Sequence, residues 1–204
     1  DLNSVPISRS LSATNDYLKE NLVNITLGVT HKFTDNLSFN ATYLNSSYDE
    51  DLREHNQANA YVKLADGTQS PSRILMQCLV RQRHFRNNSF NTYFNYNVNT
   101  GPVNHRILLG YDYFQMAQQA GSSAMTAGGY LLKDGTTTTA FKPANIAKYV
   151  LDKDGNPKTN VPYYDLTSNN NNIERDYSKY IFVATALSPY LQYSHGIYLQ
   201  EQME

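Results

Sequence analysis

The chain has 204 residues and is close to neutral, with 17 Lys and Arg residues against 18 Asp and Glu. Binding to a phosphate backbone needs clustered positive charge, so this balance argues against nucleic acid as a partner. A membrane-spanning helix needs a run of about 18 apolar residues, which is absent, whereas a spanning β-strand needs only about 9 to 11 alternating residues.

The composition favours strands and turns. The chain contains 17 Tyr, 8 Phe and no Trp, and only 17% of its residues are charged. Aromatic residues and Thr are enriched in strands. The lone Cys78 excludes an internal disulfide and is expected to be a buried, inert thiol.

The first predicted hairpin begins with a strand over residues 22–33, where odd positions other than His31 are apolar and even positions are mostly polar. A turn at 34–36 leads into a second alternating strand at 37–43. Pairing Phe33 with Leu37 matches apolar with apolar on one face and polar with polar on the other. The same register gives the pairs Val29–Ala41, Leu27–Tyr43, Lys32–Ser38, Thr30–Asn40 and Gly28–Thr42.

A second hairpin follows the same logic. Residues 89–98 alternate, the chain turns at 99–102, and residues 103–113 return with apolar side chains at odd positions. Leu108 is the exception on the polar face. A last strand is predicted at 196–204, where Glu201 interrupts the apolar row.

Two long connections are predicted, at about 49–80 and 118–185, both at the same end of the sheet. Connections of this length are usually functional. Within them, three short apolar runs each lead to an Asp-Gly step, which predicts small projecting hairpins. The steps are Asp66-Gly67, Asp134-Gly135 and Asp154-Gly155.

Alternation alone does not separate a membrane barrel from a soluble β-sandwich. The predicted polar face carries Asn, Ser, Thr, Gly and Tyr in place of Lys and Glu, which suits a confined lumen. Tight turns at one rim and long loops at the other favour a transmembrane barrel. Tyr residues on the apolar rows suit its interfacial girdles: Tyr43, Tyr96, Tyr111 and Tyr113.

Five segments in a defined order carry a family resemblance. They are Ser8-Arg9-Ser10 with Asn15-Asp16-Tyr17, HKFTDNLSFNATY at 31–43, TGPVNHRILLGYDY at 100–113, VPYYDL at 161–166 and GIYLQEQME at 196–204. Together they resemble the barrel of TonB-dependent outer-membrane receptors, particularly the ferrichrome-type siderophore receptors. The order spans nearly the whole chain, although each motif is degenerate.

The resemblance implies an all-β fold: a section of an antiparallel transmembrane β-barrel with about five long strands, short periplasmic turns and long extracellular loops. Residues 1–204 would form a partial barrel domain, and the family's N-terminal plug domain is absent from this chain. Five strands cannot close a barrel, so further strands or partners would have to pair the edges.

The function implied is transport of a ferric siderophore across a bacterial outer membrane, energised by TonB. The expected partners are the TonB complex, acting through the absent plug, outer-membrane lipid and lipopolysaccharide, and the siderophore itself. The ferric siderophore would be cargo, and no cofactor is expected. Receptors of the same family for haem, cobalamin or a glycan are alternatives. A soluble β-rich adhesion or glycan-binding module is another.

No catalytic constellation is apparent, so an enzyme is not expected. The five histidines lack metal-ligand spacing, and Asp152-Lys153-Asp154-Gly155-Asn156 lacks the Glu that would close a calcium loop. The positive run Arg81, Arg83, His84 and Arg86 suggests either a solvated or lipopolysaccharide-contacting rim or an attractor for an anionic chelate. The candidate ligand-binding residues are Tyr48, Arg83, Phe114, Tyr190 and Tyr198.

Overall fold

The computed structural model describes residues 10–168 and 173–204, and it is an all-β, antiparallel structure. Ser8 and Arg9 of the first resemblance segment lie outside these residues. The strands are β1 Tyr17–Lys32, β2 Leu37–Lys63, β3 Gln69–Thr100, β4 Val103–Gln118, β5 Ser123–Ala127, β6 Tyr130–Leu131, β7 Thr137–Thr138, β8 Tyr164–Asp165, β9 Phe182–Ala186 and β10 Tyr190–Met203. Two short 3-10 helices occupy Pro143–Lys148 and Tyr177–Lys179. No helix among the described residues is long and apolar enough to cross a membrane, a finding that concerns helical spans only.

The five long strands form one sheet in the order β1-β2-β3-β4-β10. This confirms the prediction of about five long strands. The sheet is open, since β1 and β10 lie at opposite ends of this order and no pairing joins them in the described part of the chain.

The first predicted hairpin is confirmed in its register. The Phe33 amide donates to the Leu37 carbonyl at 2.9 Å, and the Thr30 hydroxyl donates to Asn40 Oδ1 at 2.9 Å. The Thr34 hydroxyl accepts from the amide of Leu37 at 3.0 Å, which fixes the turn.

The second hairpin is also confirmed. Thr100 pairs with Val103, so the connection shortens to the two residues Gly101-Pro102. Gly101 has a φ of 65°, which favours glycine in a tight hairpin turn. The last strand is longer than predicted, because β10 begins at Tyr190 and pairs with β4 from Gln118 to His105.

The prediction of a long loop at about 49–80 is wrong. Strand β2 continues to Lys63 and β3 starts at Gln69, so only a tight turn separates them. The Asp66-Gly67 step lies in this turn, where the Leu64 amide donates to the Thr68 carbonyl at 2.8 Å. Backbone pairing extends the strands through a polar stretch whose side chains do not alternate.

The 118–185 connection contains structure of its own. Strand β5 pairs with β3 and β9, β8 pairs with β3, and β6 pairs with β7. The hairpin at Asp134-Gly135 is confirmed by the pairing of β6 with β7. Asp152 Oδ1 accepts from the amides of Asp154 and Asn156, so the calcium-like segment is a turn, as expected.

The chain divides into two compact units. Unit 1 comprises residues 10–19 together with Asp51–Gln82 and Ser123–Leu187 among the described residues. Unit 2 comprises Glu20–Glu50, Arg83–Ser122 and Ser188–Glu204.

Unit 1 contains two clusters of buried side chains. One is built on Met76, Cys78, Ala127, Val161 and Tyr164. The other is built on Val62, Leu75, Tyr130 and Tyr149. The Tyr130 hydroxyl accepts from the Lys63 amide at 2.8 Å, so the buried ring also ties the end of β2 to this cluster.

Unit 2 is a section of sheet with two chemically different faces. Directly paired residues lie on the same side of an antiparallel sheet. The pairs Phe94–Leu109 and Leu109–Leu199 therefore place apolar side chains together on one face, here called the apolar face. The opposite face carries Asn91–Asp112 and Gly110–Tyr198 and is called the polar face.

Candidate functional site: the polar face of unit 2

The five candidate ligand residues all belong to unit 2 and to its polar face. In β4 and β10, the pairs Gly110–Tyr198, Phe114–Ser194 and Gln118–Tyr190 share that face. Phe85 pairs with Gln118, and the Tyr48 ring lies 6.3 Å from the Phe85 ring. Arg83 lies two residues from Phe85 on β3, and alternation puts it on the same side. The period of two in the sequence puts Tyr48, Phe114, Tyr190 and Tyr198 on or near the polar phase, whereas Arg83 was a candidate because of its charge.

Tyr48 is held by two carboxylates. Its hydroxyl lies 2.5 Å from Glu20 Oε1 on β1 and 2.9 Å from Glu50 Oε2 on its own strand. A phenol has one proton to donate, so these groups already occupy its donor capacity. The surroundings of Tyr48 are acidic, which disfavours an anionic group binding directly at this hydroxyl.

The positive run at 81–86 does not form a single positive surface. His84 and Arg86 share one phase of β3, opposite to that of Arg83. His84 Nδ1 lies 2.8 Å from Asp49 Oδ1, and Arg86 Nη1 donates to the same oxygen at 3.1 Å. Asp49 therefore compensates two members of the run. The Nε atom of Arg83 is buried and has no hydrogen-bond partner among the described residues.

Phe114 and Tyr190 are the most accessible candidates. Their exposed fractions are 42% and 43%. Next to Tyr190, the Gln118 side chain donates to the Ser188 carbonyl at 3.1 Å and fixes the start of β10. Both rings present apolar area that an organic ligand could contact.

Tyr198 covers a glycine. Its ring lies over Gly110, the residue directly across on β4, where an added Cβ would overlap the ring. The Tyr198 hydroxyl also accepts from Asn91 Nδ2 at 3.3 Å. These contacts fill a gap in the sheet and give Tyr198 a packing role.

The candidates do not converge on one pocket. Tyr190 and Tyr198 are eight residues apart on one extended strand, a separation of about 27 Å at ~3.4 Å per residue. Phe114 lies between them, across from Ser194. A ligand of ordinary size could contact Tyr190 and Phe114, or Phe114 and Tyr198, but not all three.

An amide-rich depression lies near the hairpin-turn end of the polar face, and the candidate set omits it. Its volume is about 450 Å³, and its lining includes Asn95, Asn97, Arg106, Gln200 and Gln202. Arg106 also pairs with Glu204 at 3.3 Å. The alternating Asn and Gln residues could have indicated this depression, but they were interpreted only as the polar side of the strands.

A buried polar chain in unit 1 was also missed. His55 Nδ1 donates to Asp16 Oδ1 at 2.6 Å, and the His55 side chain is fully buried. In the neutral ring, Nε2 can then accept from the Tyr180 hydroxyl, which is 3.2 Å away. The backbone amide of His55 also donates to Asp16 Oδ2 at 2.9 Å. A local sequence pattern could not predict these hydrogen bonds, because they join residues that are 39 and 125 positions apart.

The other histidines lie against rings or carboxylates. His105 Nδ1 lies 2.7 Å from Glu201 Oε1, and its Nε2 contacts the Thr100 hydroxyl. His195 Nδ1 lies 2.8 Å from the Tyr111 hydroxyl, and the His31 ring packs edge-on against Phe33. No group of three or more His, Cys, Asp or Glu residues is placed to hold a metal ion within residues 10–168 and 173–204.

No protein-family model matches the chain, and no curated protein sequence matches it.

Proposed function

We propose that the chain forms part of the wall of an outer-membrane β-barrel that imports a ferric siderophore. The observation that carries the proposal is the exposed apolar face of unit 2. Ile197 is 81% exposed, Leu199 71% and Leu27 63%. A soluble sheet normally covers such a face with a second layer, whereas lipid would cover it here.

Polar belts at both ends of the apolar face support a membrane position. At one end, His105 pairs with Glu201. At the other end, Gln115 Oε1 accepts from Asn88 Nδ2 at 3.2 Å and from the Tyr113 hydroxyl at 3.1 Å. Tyr and His rings with polar tips suit the interface between lipid and water.

The distance between these belts fits a bilayer. His105 and Gln115 are ten residues apart on β4, which corresponds to about 34 Å of strand at ~3.4 Å per residue. A strand tilted by about 40° would then cross about 26 Å, close to the ~25 Å apolar band of outer-membrane barrels.

The open edges of β1 and β10 would be paired by further strands of the same barrel. Unpaired backbone groups in lipid cost several kcal/mol each. The polar face would then line the lumen, where Phe114, Tyr190 and Tyr198 present aromatic rings to the passing chelate. The cargo and the TonB dependence rest on the resemblance described above.

Deleting the gene that encodes this chain tests the proposal. The deletion strain, grown on single iron sources, should lose growth on one ferric siderophore of the ferrichrome type and keep growth on ferrous iron. A strain without TonB should show the same loss. Unaltered growth on every siderophore would reject the cargo, and recovery of the protein outside the outer-membrane fraction would reject the wall.

A further inference from the structure

Unit 1 contains a pocket whose chemistry the transport proposal does not use. Its volume is about 490 Å³, a size that suits a small organic molecule. Apolar area comes from Leu131, Pro162, Tyr163 and Tyr180. Pro162 and Tyr163 belong to VPYYDL, a segment singled out in the sequence. In that segment the flanking Val161 and Tyr164 are buried in the core, which leaves Pro162 and Tyr163 at the pocket.

Arg175 is the buried cation of this pocket. It is only 7% exposed, and Asn15 fixes its backbone on both sides, accepting from its amide at 3.2 Å and donating to its carbonyl at 2.8 Å. The Nη1 atom donates to the Pro162 carbonyl at 2.8 Å. No carboxylate lies within 4.0 Å of the guanidinium in the part of the chain that the structure describes.

Among the described residues, then, no carboxylate neutralises the charge of Arg175 by direct contact. The Pro162 carbonyl and the Tyr180 hydroxyl are neutral partners of the guanidinium, so they leave its charge in place. A buried charge is costly unless it is paired. Asp16, the acidic residue of the adjoining polar chain, is hydrogen-bonded to His55 and makes no ion pair with Arg175 within 4.0 Å. An anion entering the pocket would supply the missing partner.

Among the residues that line the pocket, the cations Lys158, Arg175 and Lys179 outnumber the anions Glu174 and Asp176 by one. Asp176 pairs with Lys179 at 3.0 Å, so these two compensate each other. Glu174 and Lys158 are exposed residues of opposite charge on the lining. Arg175 is the buried cation of this set.

Tyr180 is positioned in advance of any ligand. Its hydroxyl is bound to His55 Nε2, and His55 is in turn fixed by Asp16. Burial raises the pKa of the Tyr180 hydroxyl, so it stays neutral at physiological pH and does not repel an anion. A rigid aromatic wall beside a buried guanidinium selects a flat apolar body that carries a carboxylate.

We propose that this pocket binds a small organic carboxylate, with Arg175 holding the carboxylate and Tyr163 and Tyr180 contacting the organic body. The site is separate from the candidate residues of unit 2, and it does not depend on transport. Inorganic anions would bind less well, because they cannot use the apolar area.

Ligand-observed NMR and calorimetry on the full purified chain test the site, with benzoate, its neutral analogue benzamide and inorganic phosphate as probes. Benzoate should bind at least about tenfold more tightly than either of the others. Arg175→Gln should lower benzoate affinity by about tenfold or more, and Arg175→Lys should lower it less. These ratios correspond to one charge-assisted hydrogen bond or more.

Lys133→Gln is the matched control, since Lys133 is an exposed lysine of unit 1 that is not part of the pocket lining. It should leave benzoate affinity unchanged. Should Arg175→Gln unfold the chain, Lys158→Glu provides the second test, because it adds negative charge at the rim and should weaken benzoate more than benzamide. Equal affinity for benzoate and benzamide, or no effect of either pocket variant, would overturn the assignment. Transport assays play no part in this test, so its failure would leave the proposed function standing.

Discussion

Tyr198 lays its ring across Gly110, its direct partner on the neighbouring strand, and the glycine has no Cβ to obstruct it. The ring replaces the side chain that Gly110 lacks and protects the backbone of β4 on the polar face. This relationship explains a glycine in a strand interior, where it costs roughly 0.5–1 kcal/mol relative to Ala.

Gly110→Ala is expected to destabilise the folded chain by about 1–3 kcal/mol, because the new methyl group forces the Tyr198 ring from its position. Tyr198→Ala removes the obstruction, so adding Gly110→Ala to that variant should cost much less. Urea unfolding of the unmodified protein, the two single variants and the double variant gives the coupling free energy between Gly110 and Tyr198. Strictly additive changes in the free energy of unfolding would contradict the packing role of Tyr198.

Neighbouring leucines on β4 test which face meets lipid. Leu109 is 48% exposed on the apolar face, and Leu108 follows the opposite phase. In a bilayer, Leu109→Arg should cost about 2–4 kcal/mol, as charges do on the lipid side of a barrel near the midplane. Leu108→Arg is the matched control and should cost much less, because a lumen can hydrate the guanidinium. The measurement is urea-dependent folding into phospholipid vesicles, and equal costs would count against the membrane assignment.

The strand registers could be predicted from the sequence because both faces of a strand constrain them. Phe33 with Leu37 and Thr30 with Asn40 satisfy the two faces together, and the structure shows both contacts. A slip by one residue would exchange the faces. The same periodicity puts Tyr48, Phe114, Tyr190 and Tyr198 on or near the polar phase, whereas the position of Arg83 on that face comes from the structure.

The continuation of β2 and β3 beyond the alternating region could not be predicted in this way. Residues such as Glu50, Asp51 and Arg53 give no apolar period, and their strand conformation follows from pairing with a neighbour. The bond between Asp16 and His55 joins residues 39 positions apart, which no local pattern encodes. The hydrogen bond from the Tyr48 hydroxyl to Glu20 is another long-range contact that the sequence pattern does not predict.

Cys78 is expected to react slowly with alkylating reagents and to give the chain an alkaline limit. It is fully buried, and burial raises the pKa of its thiol from 9.0 to about 11. The folded state therefore holds the proton more tightly than the unfolded state. The contribution of the protonated thiol to the free energy of unfolding is complete below pH 9 and is lost as the pH rises through about 11. The loss amounts to ~3 kcal/mol at most. Iodoacetamide labelling at pH 8.5, with and without urea, checks the slow reaction of the thiol, and rapid labelling of the folded chain would contradict it. Cys78→Ala should remove this part of the alkaline loss.

Asp165 is expected to contribute stability that disappears in acid. Hydrogen bonds from the Thr167 amide at 3.0 Å and hydroxyl at 2.7 Å lower the pKa of this carboxyl from 3.8. Because the folded pKa is the lower one, the contribution is present above about pH 4 and is lost as the pH falls through the folded value. Asp165→Asn should therefore reduce the urea midpoint at pH 7 and have little effect at pH 2.5. Asp35→Asn, at a side chain that is 99% exposed, is the control. A deficit that is the same at both pH values would show that the charge is not responsible.

Asp16 is expected to be the most sensitive carboxylate of unit 1, because it accepts three hydrogen bonds at a nearly buried position. Its oxygens bind the Ala13 amide at 2.8 Å, the His55 amide at 2.9 Å and His55 Nδ1 at 2.6 Å. In Asp16→Asn, an NH₂ group replaces one of these acceptors and faces a donor, so we expect a loss of about 3 kcal/mol in the free energy of unfolding. The same substitution should loosen Tyr180 and weaken benzoate binding at Arg175, since the His55 ring loses its anchor. Hydrogen exchange of the Tyr180 amide, compared with Asp35→Asn, separates this effect from a general one. Unchanged exchange and unchanged stability would mean that the bond between Asp16 and His55 does not hold this part of the fold together.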